Sequence, residues 1–283
     1  MNVLEAIQKS TDFLAKKGVE SARLNAELLL AHLLKMPRMK LYLNFDRVLT
    51  APEIDALREL VKRRGLREPL QHITGSTSFC GHEISVSRHA LVPRPETELL
   101  AELGWKFLAT SNQQPATVLD FGTGTGCLAI ALAAKCPNAK VIALDLSPDA
   151  LALAKQNALQ NKVAERIEFL LGDGFAALAT RTQFDLIVSN PPYIPSAEIE
   201  TLAPEVRDFD PRAALDGGAD GLDFYRRLAV EAKPFLKPAG KIMLEFGDGQ
   251  AGDIQKIFES EKWIVEAVQE DYAHRARILV ARV

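Results

Sequence analysis

Three hydrophobic patterns follow one another along the chain. Between residues 3 and 65, apolar side chains recur every three or four positions, which is typical of helices with one buried face. The pattern predicts helices over residues 3–14, 23–34 and 51–65, the last with a proline in its first turn and a glycine at its end. We therefore expect a small all-α domain over residues 1–74.

The second pattern covers residues 75–92. Here short runs of roughly alternating character are broken at Cys80-Gly81, and Pro93-Arg94-Pro95 then ends the alternation. We interpret this stretch as a β-hairpin that connects two domains.

The third pattern, over residues 93–283, alternates strand-like apolar runs with helical stretches. Such alternation predicts an α/β fold with a mostly parallel, Rossmann-like sheet that binds its ligand at the carboxyl ends of the strands. The last two runs have no helix between them, so we expect them to pair antiparallel. The seven predicted strands are residues 117–121, 140–145, 166–171, 184–189, 241–246, 263–268 and 276–281.

Composition and charge narrow the class of protein. A hydrophobic content of 47% and a charged content of 25% exclude disordered, collagen-like and coiled-coil chains.

The three cysteines form no CxxC pair and the five histidines show no ligand spacing, so we expect no metal. The longest apolar run, residues 127–134, is too short for a bilayer, and no signal peptide precedes it, so we expect a cytoplasmic protein without membrane contact.

The charge is unevenly distributed. The net charge of −3 argues against stable nucleic-acid binding. Residues 1–90 nevertheless hold 14 basic and 10 acidic side chains, whereas the remainder holds 20 basic and 27 acidic ones. We infer that the two parts of the chain meet different partners.

A glycine-rich loop follows the first predicted strand of the sheet and opens a helix. In this position its glycines allow a tight turn whose backbone approaches a ligand closely. Asp145 ends the next strand about twenty residues later, where such folds place a carboxylate against ribose hydroxyls. The loop residues are Gly122, Thr123, Gly124, Thr125 and Gly126.

Two cofactor classes compete for this loop, because dinucleotide sites also use glycines and a ribose-binding acid. The GxGxG spacing departs from the dinucleotide pattern GxGxxG. Asp120, directly before the loop, suits a cofactor whose amino-acid end carries an ammonium. Both details favour S-adenosylmethionine over a dinucleotide, or over a turn that merely joins strand and helix.

A second motif, Asn190-Pro191-Pro192-Tyr193, directly follows the strand over residues 184–189. The two prolines remove N–H donors, so the carbonyls and the Asn190 side chain remain as acceptors for an NH₂ group. An amide or exocyclic amine needs such orientation because its lone pair is delocalised. We therefore assign Asn190, Pro191 and Tyr193 as catalytic residues, with Tyr193 as an aromatic wall. An ordinary turn at the end of a strand is the alternative, and both amide and nucleobase substrates stay open.

With these motifs in place, the chain resembles the peptide chain release factor N(5)-glutamine methyltransferases, the HemK/PrmC family, over nearly its full length. Five segments carry the resemblance, in order along the chain: residues 68–75, 92–98, 122–126, 189–194 and 216–222. The resemblance implies a class I S-adenosylmethionine-dependent methyltransferase that acts on the glutamine of the GGQ motif in bacterial class 1 release factors. We expect the protein to be a monomer. It also implies that the helical N-terminal domain grips the release factor.

The resemblance assigns residues to the cofactor and to the substrate. The cofactor-binding residues are Gly122, Thr123, Gly124, Thr125, Gly126, Asp145, Asp173, Gly174 and Asn190, and the substrate-binding residues are Asn190, Pro191, Pro192 and Tyr193. One departure is Gly174, where relatives often carry an aromatic residue near the adenine, so that stacking has to come from Phe175 or Leu146. Arg94 and Glu96 are expected to shape the cofactor side of the pocket.

Two other functions stay open. DNA N(6)-adenine methyltransferases use a similar Asn-Pro-Pro-Tyr motif on a flipped base, but they need a base-reading domain, and this chain has no segment large enough to be one. A protein-binding module that has lost catalysis is the third possibility. The presence of Asn190, Asp145 and the loop glycines argues against it.

Overall fold

The computed structural model describes residues 1–110, 115–178 and 182–283. These residues form two units. The helical unit contains residues 1–76 together with a later segment, residues 203–209, and the sheet unit contains residues 77–202 and 210–283. In the later segment the chain returns briefly to the helical unit, and no pattern in the sequence predicts this return.

In the helical unit, the three predicted helices are confirmed with their ends shifted by at most two residues. Asn2 and Thr50 begin two of them through capping boxes. In each box the side chain of the first residue accepts from the backbone N–H of a glutamate three residues later, and the glutamate side chain accepts from the backbone N–H of the first residue. Three shorter helices were not predicted, because four or five residues are too few to show a period. The helices are α1 (Val3–Lys16), α2 (Ala22–Leu33), α3 (Arg38–Tyr42), α4 (Ala51–Gly65), α5 (Leu70–Thr74) and, in the later segment, α9 (Pro204–Arg207).

The sheet unit begins with the predicted hairpin, and all seven predicted strands of the large sheet are present. The hairpin strands are β1 (Ser76–Phe79) and β2 (His82–Ser85). The large sheet contains β3 (Thr117–Phe121), β4 (Lys140–Asp145), β5 (Ile167–Leu171), β6 (Phe184–Ser189), β7 (Leu236–Glu245), β8 (Ile264–Glu270) and β9 (Ala276–Arg282). Its helices are α6 (Pro95–Thr110), α7 (Cys127–Lys135), α8 (Pro148–Gln160), α10 (Asp223–Glu231) and α11 (Ala251–Ser260).

The order of strands in the large sheet is β5-β4-β3-β6-β7-β9-β8. The first five are parallel, and β9 pairs antiparallel with both β7 and β8, as predicted. After β3 the chain builds outward to β5 and then returns to add β6 on the other side of β3. The carboxyl ends of β3 and β6 therefore flank the point where the strand order reverses, which is where open α/β sheets bind ligands.

Both faces of this sheet are covered. Side chains alternate along the strands, so Val118 and Leu186 join a core cluster with α6 and α7, whereas Leu119 and Ile187 join one with α10 and α11. All four side chains are fully buried. A strand that is apolar on both faces is typical of a parallel sheet, and it leaves polar chemistry to the strand ends. Within the described ranges, no helix is both long and apolar enough to cross a membrane.

Candidate active site

The glycine loop lies between the ends of β3 and β4. The N–H groups of Gly122 and Thr123 both donate to the Leu144 carbonyl at 2.9 Å. Gly126 begins α7 with a φ of 81°, and a Cβ there would lie 3.2 Å from the Cα of Ala154 on the neighbouring helix α8. Only glycine therefore allows the chain to turn into α7 at this point. The result is a tight turn at a helix N-terminus.

The Asp145 carboxylate lies beside this loop. Its Oδ2 accepts from the Gly124 N–H at 2.8 Å, and its Oδ1 accepts from the Ser147 N–H at 2.9 Å. The side chain is only partly buried. The structure therefore brings together the glycine loop and the acidic residue that the sequence pairs with it.

Asp120, just before the loop, is 1% exposed. Its Oδ2 accepts from the Thr123 hydroxyl at 2.6 Å and from the Ala129 N–H at 3.1 Å, whereas its Oδ1 has no partner among the described residues. Burial raises the pKa of this carboxyl to about 7. A buried acceptor without a donor is costly. The orphaned oxygen therefore fits the ammonium of a ligand with an amino-acid end.

Asp173 and Gly174 follow β5, and both lie next to Arg227 of α10. The Asp173 carboxylate pairs with the Arg227 guanidinium at 2.6 Å. Gly174 has a φ of 62°, and a Cβ there would collide with Arg227 Nη2. Arg227 thus occupies the space in which a larger side chain at position 174 would begin.

The two residues expected to compensate for Gly174 have different surroundings. The Phe175 ring is buried, with the Phe121 and Phe235 rings at centroid distances of 5.1 and 5.0 Å. Leu146, after Asp145, is 66% exposed. Of the two, Leu146 is therefore the one whose surface is accessible to a ligand.

The Asn190–Tyr193 motif begins where β6 ends. The Ser189 hydroxyl donates to the Phe121 carbonyl at 2.7 Å, which ties the ends of β6 and β3 together. The Asn190 Nδ2 donates to the Thr97 hydroxyl oxygen at 3.2 Å. Over residues 1–110, 115–178 and 182–283, no group donates to Asn190 Oδ1 or to the Pro191 carbonyl. These two oxygens are the acceptors that the sequence assigns to a substrate NH₂ group.

The segment over residues 216–222 packs against the backbone of this motif. Ile194 pairs with Asp216, and the Gly217 N–H donates to the Ile194 carbonyl at 2.9 Å. A Cβ on Gly217 would lie 2.9 Å from the Pro192 carbonyl oxygen, and one on Gly221 would collide with the Tyr193 carbonyl oxygen. The glycines of this segment therefore allow it to press directly against the backbone of the motif.

Tyr193 itself is half-buried and packs against the core cluster around α10 and α11. Its carbonyl accepts from Gln250 Nε2 at 2.9 Å. Burial, and then the nearby Glu245, raise the pKa of the Tyr193 hydroxyl. The side chain therefore stays a neutral phenol, which suits an aromatic wall rather than a base.

Glu245 and Thr97 are polar residues that the sequence did not single out. Glu245 ends β7 and is 1% exposed. Burial raises the pKa of its carboxyl to about 7, although the Thr97 hydroxyl opposes the rise. One signal was visible: a carboxylate follows the apolar run of residues 242–244 at the end of β7, and Thr97 lies within residues 92–98.

Arg94 and Glu96 belong to the same stretch as Thr97. Arg94 pairs with the buried carboxylate of Asp210 at 2.9 Å. Burial raises the pKa of the Asp210 carboxyl to about 6 even though Arg94 opposes the rise. The structure therefore shows Arg94 paired with Asp210.

Comparisons with known proteins agree with this arrangement. Residues 5–75 match the family model described as PrmC N-terminal domain, and residues 101–205 match the Methyltransferase small domain. A release factor glutamine methyltransferase of Geobacter sulfurreducens is 47% identical over 246 residues, which cover 87% of this chain and 84% of that protein. Another, from Chlorobaculum tepidum, is 40% identical and covers 95% of this chain and 93% of its own length.

A solved structure supports the fold. The crystal structure of a methyltransferase from Pyrococcus furiosus superposes with a TM-score of 0.52 at 21% identity, over 71% of this chain and 88% of the other. At that identity the likeness concerns the fold alone, and it agrees with the seven-stranded sheet described above.

Proposed function

The chain belongs to the release factor glutamine methyltransferase family, and on that premise we propose that it methylates the side-chain amide of the glutamine in the GGQ motif of peptide chain release factors. It is an S-adenosylmethionine-dependent enzyme. The observation that carries the proposal is the pair of acceptors, Asn190 Oδ1 and the Pro191 carbonyl, at the carboxyl end of β6. A primary amide offers two N–H groups, one for each acceptor.

The cofactor pocket is assigned to the end of β3 and its neighbours. The backbone of residues 122–126 approaches the cofactor, Asp145 accepts from the ribose hydroxyls, and Asp120 receives the ammonium. Asp173 and Gly174 lie on the adenine side. When bound, S-adenosylmethionine supplies a methyl group activated by its sulfonium.

The Asn190–Tyr193 motif holds the other reactant. Hydrogen bonds to Asn190 and Pro191 orient the amide nitrogen in line with the methyl group, and Pro192 adds no competing N–H donor. Tyr193 packs against the flat face of the amide. Catalysis is then mainly positioning in a site from which water is excluded, which can contribute several kcal/mol, up to about 10 in well-oriented reactions.

We assign the binding of the partner protein to the helical unit. Residues 1–90 carry the excess of basic side chains, and an excess of positive charge steers an acidic or phosphate-bound partner by long-range attraction. We expect this unit to grip the release factor while its GGQ loop enters the site.

The proposal is tested with Asn190→Ala. We expect the variant to fold and still bind S-adenosylmethionine by calorimetry, and to lose methyl transfer by on the order of 10²-fold or more, the range for removing one positioned hydrogen-bonding group. Asn161→Ala, which removes an amide from the end of α8 in the same unit, is the matched control. Near-normal turnover of Asn190→Ala would contradict the proposed role of the motif.

The substrate class needs a separate experiment. Labelled S-adenosylmethionine is incubated with a release factor or with adenine-containing DNA, and the products are identified by mass spectrometry. We expect label on glutamine of the release factor. Label on DNA alone would favour the adenine methyltransferase alternative.

A further inference from the structure

The proposed cofactor residues follow the order of the strands along the carboxyl edge of the sheet. Asp120 lies near the end of β3, Asp145 ends β4, and β5 is the next strand outward. The proposed function gives the ammonium of S-adenosylmethionine to Asp120 and its ribose to Asp145. The adenine lies beyond the ribose in this cofactor, so its place is the end of β5. The ends of β4 and β5 are joined there, because the Gly172 N–H donates to the Asp145 carbonyl at 3.0 Å.

Asp173 is the carboxylate that this edge offers to the adenine. A carboxylate only accepts, and the exocyclic amine of adenine donates. The Asp173 side chain is 68% exposed, however, and it caps no backbone N–H of the turn that follows it. An exposed side chain that is free to rotate loses conformational entropy when it binds a ligand. A second residue is therefore needed to hold this carboxylate in place.

Arg227 of α10 holds it. Its Nη1 donates to Asp173 Oδ1 at 2.6 Å, and its Nη2 donates to the Asp173 backbone carbonyl at 3.1 Å. Its Nε donates to both carboxylate oxygens of Glu231 at 3.1 Å. The guanidinium is thus fixed along two of its edges. In the part of the chain that the structure describes, no group donates to Asp173 Oδ2, so this oxygen stays available as an acceptor.

Gly174 makes this contact possible. A Cβ at this position would lie 2.9 Å from Arg227 Cζ and still closer to Nη2. Any side chain at position 174 would therefore push the guanidinium away from Asp173. Ion pairs that are open to solvent contribute little to stability. The stability of the fold alone therefore gives little reason for this arrangement of glycine, arginine and carboxylate.

We propose that Arg227 is a positioning residue for the adenine end of the cofactor, which holds the Asp173 carboxylate so that Oδ2 accepts from the exocyclic amine. The proposal rests on the proposed function, since that function assigns the cofactor to this edge of the sheet. It adds a residue that acts through Asp173 and that makes the site selective for a 6-amino purine. A 6-oxo purine presents a second acceptor to the carboxylate and is rejected.

Binding of two product analogues tests the proposal without a release factor. S-adenosylhomocysteine carries the amine, and S-inosylhomocysteine has a carbonyl oxygen in its place. By calorimetry we expect the wild-type protein to favour the adenosyl compound by at least about tenfold, the value of one hydrogen bond to a charged group. Arg227→Ala should bind the adenosyl compound about tenfold more weakly and bring the ratio of the two affinities close to one.

A matched control lies next to Arg227 on the same helix. Arg226 pairs with Asp220 and Asp223 instead of Asp173. Arg226→Ala removes the same charge from α10, and we expect it to leave both the affinity and the ratio at their wild-type values.

Two further variants make the test independent of the folding of Arg227→Ala. Arg227→Lys keeps the positive charge but lacks the fixed pair of parallel N–H donors, so we expect it to lose most of the discrimination as well. Asp173→Asn places an NH₂ donor beside the remaining acceptor, so it should bind the two analogues with similar affinity.

Several outcomes would overturn the proposal. They are a wild-type ratio of affinities in Arg227→Ala or Arg227→Lys, an equal loss in Arg226→Ala, or a wild-type ratio in Asp173→Asn. These outcomes are distinct from a failure of the proposed function. A wild-type protein that methylates a release factor, beside Arg227 variants with an unchanged ratio, refutes the positioning role alone. A wild-type protein that transfers no methyl group to a release factor refutes the proposed function, and the ratios still decide the role of Arg227.

Discussion

One carboxylate of the segment over residues 203–209 pairs with two arginines of the helical unit. Glu205 of α9 accepts from Arg67 at 2.6 and 2.7 Å and from Arg64 at 2.8 Å. Arg64 is 6% exposed. Replacing Glu205 by glutamine keeps the size of the side chain but leaves the buried Arg64 without an anion, so we expect Glu205→Gln to destabilise the helical unit.

The magnitude follows from the pKa of the Glu205 carboxyl. Burial alone would raise this pKa, but hydrogen bonds from Arg67 and Arg64 outweigh it and lower the pKa from 4.5 to about 2. That difference corresponds to an upper bound of about 3 kcal/mol. Solvent screening at the exposed edge of the carboxylate reduces our expectation to about 2 kcal/mol. Because the pKa is lowered, this stability is present above pH 4.5 and is lost as the pH falls through about 2.

The assay is hydrogen exchange of the α4 amides, which reports on the helical unit by itself. At pH 7 we expect Glu205→Gln to lower the opening free energy of α4 by about 2 kcal/mol, a roughly 30-fold faster exchange. The gap to wild type should narrow as the pH is lowered from 4.5 toward 2. Asp208→Asn removes an exposed carboxylate from the same segment and should leave α4 unchanged. Equal protection in both variants would refute the reasoning.

Two further predictions concern the backbone behind the site and the thiols. Gly221→Ala should lower kcat by on the order of tenfold or more, because its Cβ would displace the Tyr193 carbonyl. Gly249→Ala has a similar positive φ with no atom within 4 Å, and equal losses in the two would attribute the effect to backbone strain. Burial raises the pKa of Cys80 to about 12 and that of Cys127 further. Because the thiolate is the reactive form, a disulfide reagent at pH 8 should react with these two cysteines at least 100-fold faster in the unfolded chain than in the native protein. Fast labelling of Cys80 or Cys127 in the native protein would contradict this.

Much of the fold could be predicted from the sequence because its signals are local. The strand Thr117–Phe121 and the turn after it are contiguous, and Asp145 follows at a spacing that the topology itself requires. Short helices such as Arg38–Tyr42 were not predicted, because a helix shorter than two turns shows no hydrophobic period.

The site was predicted less completely. Its residues that lie on one motif, such as Asn190 and Pro191, were found together. Thr97 and Glu245 were not, because they lie on segments far from Asn190 in sequence, and no spacing rule relates them to it. The same holds for Arg64 and Glu205, which meet only because the chain returns to the helical unit.

That return has a consequence for how the protein is made. Synthesis proceeds from the N-terminus, and domains generally begin to fold as they emerge from the ribosome. Residues 1–76 emerge first, yet the carboxylate that neutralises Arg64 and Arg67 is not synthesised until residue 205. During translation Arg64 and Arg67 therefore lack their Glu205 partner until most of the parallel sheet, β3 to β6, has already been produced. The earliest part of the chain therefore gains this ion pair only when a late part of the chain has been made.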